Sequence, residues 1–152
     1  LLQDKNTWFE TFEHEPVKTS EEAAQIRTGY SLEQGAKALI LRIKETGGKH
    51  YFAQFVIPGD KKLDSKLVCS FLKAKNIRFA TVSEINELTQ GIEIGGIPPF
   101  GNLFEIPVYI DPSLLAHEKI IYNAGDRSFS IGMKTKDYVT IVKPTVTKLV
   151  LQ

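Results

Sequence analysis

Two runs constrain the fold most: residues 36–43, AKALILRI, and residues 50–57, HYFAQFVI. Each has the length and the β-branched and aromatic content of a strand, and Gly47-Gly48 between them predicts a hairpin. On a strand, alternate side chains point to opposite faces. In the first run Lys37 therefore shares a face with Leu39, Leu41 and Ile43, while Ala36, Ala38 and Ile40 occupy the other. Both faces are apolar, so both need cover. The exception is Lys37, whose ammonium needs a partner. It either snorkels from the strand end into water or contacts an anion or carbonyl at the mouth of a pocket.

The rest of the chain supplies helices and short strands in alternation. Trp8, Phe9 and Phe12 stand at helical spacing and predict a short helix over 6–13. Thr19-Ser20-Glu21-Glu22 reads as a capping box opening a helix through Ala23, Ala24 and Ile26 that stops near Gly29. Asp64 is placed to cap a helix whose Leu63, Leu67, Val68, Phe71 and Leu72 form one apolar stripe. A further short helix starts at Ser83 and ends near Gly91. Residues 107–110, 119–123 and 127–133 read as short strands, with Gly125-Asp126 as the turn of the last pair, and 134–142 as a final amphipathic helix. The expected class is α+β: a mixed, largely antiparallel sheet curled into a partial barrel and flanked by helices. With no repeat, low-complexity tract or linker-like shift, residues 1–152 read as a single domain.

Composition narrows the function classes. A net charge of +1, from 19 Lys+Arg against 18 Asp+Glu, excludes binding nucleic acid by bulk charge but leaves room for local basic patches. Lys61, Lys62, Lys66, Lys73, Lys75 and Arg78 form one such region, and Lys134, Lys136 and Lys143 another. The lone cysteine, Cys69, cannot form an internal disulfide and lies on an apolar stripe, which reads as packing. No apolar run approaches the ~18 residues of a membrane helix. The opening Leu1-Leu2-Gln3-Asp4-Lys5 has no signal-peptide pattern, so a cytoplasmic location and no membrane partner are expected.

Known catalytic sets are missing from the pattern. His14, His50 and His117 lie far apart without zinc-ligand spacing, and neither a Gly-x-Ser-x-Gly elbow nor a phosphate-binding loop occurs. What remains is the segment Gly95-Gly96-Ile97-Pro98-Pro99-Phe100-Gly101. Glycines permit close approach, and consecutive prolines stiffen the chain and remove donors. Such a segment serves either as a structural turn or as a loop whose N–H groups hold a carbonyl or oxyanion. Asn123-Ala124-Gly125 carries residues ordinary in hairpins.

Taken in order, these pieces resemble the YbaK family of free-standing aminoacyl-tRNA deacylases, relatives of the editing domain inserted in bacterial prolyl-tRNA synthetases. The family's Gly-x-x-x-Gly-x-Val-x-Pro-Phe-Gly signature is matched by Gly91 to Gly101, with Ile97 for the valine. Gly35-Ala36-Lys37 matches its strand-opening lysine, Asn123-Ala124-Gly125 its strand end, and His14-Glu15-Pro16-Val17 with the following Thr19 to Ala24 its N-terminal segment. The resemblance implies hydrolysis of the ester joining a wrong amino acid to the terminal ribose of tRNA. On that reading Lys37 is the catalytic charge, and Gly95, Gly96, Ile97, Pro98, Pro99, Phe100, Gly101, Asn123 and Gly125 bind substrate, with no metal or other cofactor. Aminoacyl-tRNA is the implied partner, a synthetase docked in trans a further one, and a tRNA for proline or a similar tRNA the implied carrier. Some synthetase-inserted relatives carry a histidine after this strand end. Here Asp126-Arg127-Ser128-Phe129-Ser130 has none, so alanine, cysteine, serine and other small amino acids stay open as the one removed. The competing class is a module that binds aminoacyl-tRNA or a synthetase without hydrolysis.

Overall fold

The computed structural model describes residues 9–13, 31–92, 96–124 and 129–151. Its centre is the expected hairpin, β2 (Ala36–Glu45) against β3 (His50–Pro58), with Ile40 opposite Gln54 and Lys37 opposite Ile57. At the turn Gly48 takes φ 92°, a region glycine enters without steric cost. There the Gly48 N–H donates to the Glu45 carbonyl at 3.0 Å.

Around the hairpin grows a mixed sheet. β4 (Ala74–Phe79) pairs antiparallel with the outer side of β2. β5 (Val108–Ile110) runs parallel to β3, and β8 (Thr145–Val146) parallel to β5. A second sheet is wholly antiparallel: β1 (Phe9–Glu13), then β7 (Phe129–Lys134), then β6 (Lys119–Asn123). One parallel bridge, Gly35 to Ile121, links the two. The single curled sheet expected from the sequence is thus two sheets meeting at the head of β2, within the expected α+β class.

Three α-helices occur among the described residues: α1 (Ser65–Leu72), α2 (Val82–Thr89) and α3 (Thr135–Val142). Helices of two turns do not persist alone, so caps and buried faces must hold them. Asp64 caps α1 as expected, its carboxylate accepting from the Leu67 N–H at 3.1 Å. α2 begins one residue before the expected start. Its cap is Thr81, whose hydroxyl accepts from Glu84 N–H at 3.1 Å while the Glu84 carboxylate accepts from Thr81 N–H at 2.8 Å.

The helices and the segment following α2 cover both faces of the hairpin. Leu41, Ile43, Phe55 and Ile57 pack with Val68 of α1 and Leu149. On the opposite face Ile40 packs with Ile85 of α2 and with Ile97. Ala36 and Val56 join Phe100, Tyr122 and Tyr138 in the cluster that reaches the second sheet. Cys69 is half-buried with its thiol donating to the Ala74 carbonyl at 3.1 Å, a packed position.

Three sequence expectations need comment. The helix expected over 6–13 is instead strand β1 from Phe9 onward, because the free edge of β7 offers backbone partners that outweigh an eight-residue aromatic pattern. β4 and β8 went unpredicted. β4 is an edge strand carrying Lys75, Asn76 and Arg78, and charge on an edge hides the usual alternation. The capping box at Thr19-Ser20-Glu21-Glu22, its helix, and the Gly125-Asp126 turn lie outside the described residues.

Candidate active site

The glycine–proline segment is held from beneath by one side chain. Gln54 lies in the middle of β3, fully buried, on the face of the hairpin that carries Ile40. Its Nε2 donates to the Pro98 carbonyl at 3.0 Å, and its Oε1 accepts from the Gly101 N–H at 2.8 Å. A second tie comes from α3, where the Tyr138 hydroxyl donates to the Pro99 carbonyl. Burial pushes the Tyr138 pKa upward, so this hydroxyl stays a donor.

Packing fixes what hydrogen bonds leave free. The Phe100 ring meets Tyr122 and Tyr138 edge-on, each at 5.4 Å between centroids. Ile97 fills the space between Ile40 and Ile85. Gly101 has no room for a side chain: a Cβ there meets Val108 Cγ2 at 2.8 Å and both Gln54 Oε1 and Ile106 Cγ1 at 3.1 Å. Its glycine is demanded by close approach.

This arrangement decides which loop amides are available. Pro98 and Pro99 have none, and that of Gly101 is committed to Gln54. The N–H groups of Ile97 and Phe100 meet no acceptor among the described residues, although both residues are about as buried as the core, 5% and 4% exposed. Buried N–H groups are nearly always paired, so N–H groups that meet no acceptor among the described residues suit a carbonyl or oxyanion brought by a ligand. Gly96 is buried beside them, and Gly95 lies outside the described residues.

Lys37 sits elsewhere. Its face is that of Leu39, Leu41 and the cross-strand Ile57, opposite the face of Gln54. The ammonium donates to the Lys61 carbonyl at 3.0 Å. Burial pulls its pKa below the ordinary lysine value, Asp60 opposes that shift, and Lys62 adds to it. Exposed Lys61 and Lys62 therefore adjoin it, and Lys66 is exposed on α1. Arg78, counted in that region from sequence, is engaged instead by the Glu84 carboxylate at 2.8 and 2.9 Å, which holds Glu84 down to about 2. The parallel bridge of Gly35 with Ile121 joins the head of β2 to β6, two residues before Lys37 and two before Asn123 in their strands. Asn123 is half-buried, with its Oδ1 accepting from the Ser130 hydroxyl at 3.3 Å. Gly125 lies outside the described residues.

The structure thus gathers residues 96–101 with Gln54, Tyr122 and Tyr138, and leaves Lys37 with Lys61 on the opposite face of the hairpin and Asn123 with Ser130 at the end of β6. Gln54 and Tyr138 escaped the sequence reading. A signal for the first existed: within YFAQFVI it is the single strongly polar residue. Among the described residues, no helix is long and apolar enough to cross a membrane.

Comparison with known proteins adds a lineage to this geometry. The family model described as the aminoacyl-tRNA editing domain matches residues 14–141. The chain is 34% identical over 146 residues to the multifunctional Ser/Thr-tRNA deacylase ProXp-y of Escherichia coli strain K12, covering 95% of this chain and 85% of that protein. It is 30% identical over 122 residues to the proline–tRNA ligase of a Sulfurihydrogenibium species, covering 80% of this chain and 18% of the ligase. Among solved structures, one described as a trans-editing enzyme for prolyl tRNA synthetase superposes with a TM-score of 0.80 at 26% identity, over 95% of this chain and 87% of that one.

Proposed function

The chain belongs to the aminoacyl-tRNA editing domain family, and on that premise we propose how its residues carry out the hydrolysis. It is a trans-editing hydrolase that cleaves the ester of mischarged aminoacyl-tRNA. Editing answers a limit of selection: a methylene is worth only ~1–3 kcal/mol of discrimination, so a synthetase for a small side chain needs a second site to remove errors.

The observation that carries the mechanism is the pair of N–H groups at the buried residues Ile97 and Phe100, which meet no acceptor among the described residues, in a loop pinned at Pro98, Pro99 and Gly101. The ester carbonyl oxygen lies against these donors. Water attacks the carbonyl carbon, charge moves onto that oxygen, and the fixed N–H dipoles stabilise it without rearranging. The bond from carbonyl carbon to ribose oxygen then breaks, and the ribose oxygen takes a proton from the attacking water. The ester is activated already, so no side-chain nucleophile is required.

Lys37, on the opposite face of the hairpin from Gln54, supplies positive charge to the terminal adenosine's phosphate, with Lys61, Lys62 and Lys66 guiding the same backbone. An ammonium suits a phosphate because it offers three donors on a point charge. Asn123 borders the substrate at the end of β6, and Gly125, two residues on in sequence, is a further substrate-binding candidate. The substrate is a small amino acid on a tRNA for proline or a similar tRNA. Serine and threonine come first, since the E. coli relative bears those names. We read all 152 residues as one editing domain working in the cytoplasm, where tRNA is charged, with a synthetase as companion.

Release of amino acid from a panel of mischarged tRNAs, with substrate in large excess over protein, tests this reading. Repeated turnover on at least one small amino acid is expected. Stoichiometric protection of the ester, with no turnover on any member, is the result of a binding module and contradicts hydrolysis.

A further inference from the structure

We infer that Gln54 is the positioning residue of the hydrolysis, the side chain that sets the loop amides where the oxyanion forms. The inference rests on the deacylase reading above and goes beyond it by naming the group on which the site's geometry depends. Four observations carry it.

Gln54 is 0% exposed in a strand otherwise apolar at its centre, where an uncompensated amide is costly and a leucine would pack without that cost. Its partners are far away in sequence, 44 and 47 residues on, so the bonds serve the loop and not local strand structure. They bracket Pro99 and Phe100, the segment that contains the Phe100 N–H, which meets no acceptor among the described residues. The loop's other anchor, the Tyr138 hydroxyl on the Pro99 carbonyl, fixes the same segment from the opposite element.

The orientation of the amide is forced. Pro98 presents only a carbonyl and Gly101 only an N–H to it, so the donor end must face Pro98 and the acceptor end Gly101. Rotating the amide by half a turn sets acceptor against acceptor and donor against donor. The Gly101 position is matched to it, since the Gln54 oxygen lies 3.1 Å from where a Cβ would stand. One neutral side chain with a donor and an acceptor on neighbouring atoms meets these demands. A protonated carboxylic acid also does; a carboxylate does not.

That difference supplies the test. Gln54→Leu and Gln54→Glu are compared with wild type in single- and multiple-turnover deacylation, from mildly acidic to neutral pH, after correction for spontaneous ester hydrolysis. Gln54→Leu is expected to lower kcat by ~10²-fold, the scale of losing an oxyanion donor, with KM little changed. Gln54→Glu is expected to be weak at neutral pH and to recover as pH falls, because its buried carboxyl, once protonated, donates to Pro98 and accepts from Gly101. Wild type shows no such acid-side recovery. If Gln54→Leu does not fold, the pH profile of Gln54→Glu decides. Folded variants with wild-type kcat at every pH, or a folded Gln54→Glu that stays inactive on acidification, overturn the role of Gln54. Wild type that releases nothing from any mischarged tRNA overturns the deacylase reading itself, a distinct outcome.

Discussion

Gly101→Ala is expected to lower deacylation by ~10²-fold or more and to shift the unfolding midpoint downward. The added methyl lands 2.8 Å from Val108 Cγ2 and 3.1 Å from both Gln54 Oε1 and Ile106 Cγ1, at a buried position next to Phe100, which is 4% exposed. Overpacking of this kind typically costs ~1–3 kcal/mol. Relief by moving the loop lengthens the Gly101 to Gln54 hydrogen bond, a contact worth about 1 kcal/mol when intact. The same movement displaces the Phe100 N–H next to it in the chain, which is why activity suffers more than stability. Gly47→Ala is the matching control, since a Cβ there meets nothing within 4 Å. Urea melts and single-turnover rates on both variants check the pair. A Gly101→Ala protein with wild-type rates removes loop position from the mechanism.

The second large effect separates function from stability. Lys37→Met is expected to lower deacylation by ~10-fold or more while leaving the melting temperature unchanged or higher. Burial is the leading cause of the lowered Lys37 pKa, so its folded value lies below the ordinary 10.5 of the unfolded chain. The folded state then holds its proton less tightly. Below the folded pKa both states are charged and burial of the ammonium costs stability; as pH rises from there towards 10.5 that cost is relieved. Wild type should therefore gain stability relative to Lys37→Met across that alkaline window, and urea midpoints measured through it read the sign. If the ammonium is the working form, wild-type deacylation also falls earlier on the alkaline side than an ordinary lysine requires. Equal rates for Lys37→Met and wild type remove Lys37 from the reaction. Such a result is compatible with the loop's role, because Lys37 lies on the opposite face of the hairpin from Gln54.

Much of this was legible from residue order. AKALILRI and HYFAQFVI form the hairpin they predict, since strands apolar on both faces have few other solutions, and Asp64 caps its helix because the cap is a local interaction. The loop stood out for its glycines and prolines. Its local chemistry did not reveal why it is rigid, since the anchors come from β3 and α3 across 44 and 39 residues of chain. For the same reason the sequence allowed close approach at Gly101 without naming what comes close, which is Val108, Ile106 and Gln54. Lys37 was identifiable as an ill-fitting charge on an apolar strand, but its carbonyl partner at Lys61 depends on how the chain leaves β3. The misread segment over 6–13 shows the same limit: strand β1 exists because β7 presents an edge to it, and no window of eight residues contains that edge.

The loop's peptide groups can be altered one at a time, and that is the most direct measurement. Replacing the Pro99–Phe100 amide by an ester, with phenyllactic acid at position 100, exchanges the Phe100 N–H for an oxygen and leaves the ring in place. The account predicts a kcat on mischarged tRNA reduced by ~10²-fold with KM little changed, and a parallel loss for the corresponding exchange at Ile97. Wild-type kcat in both backbone variants, folded and with Gln54 intact, contradicts it.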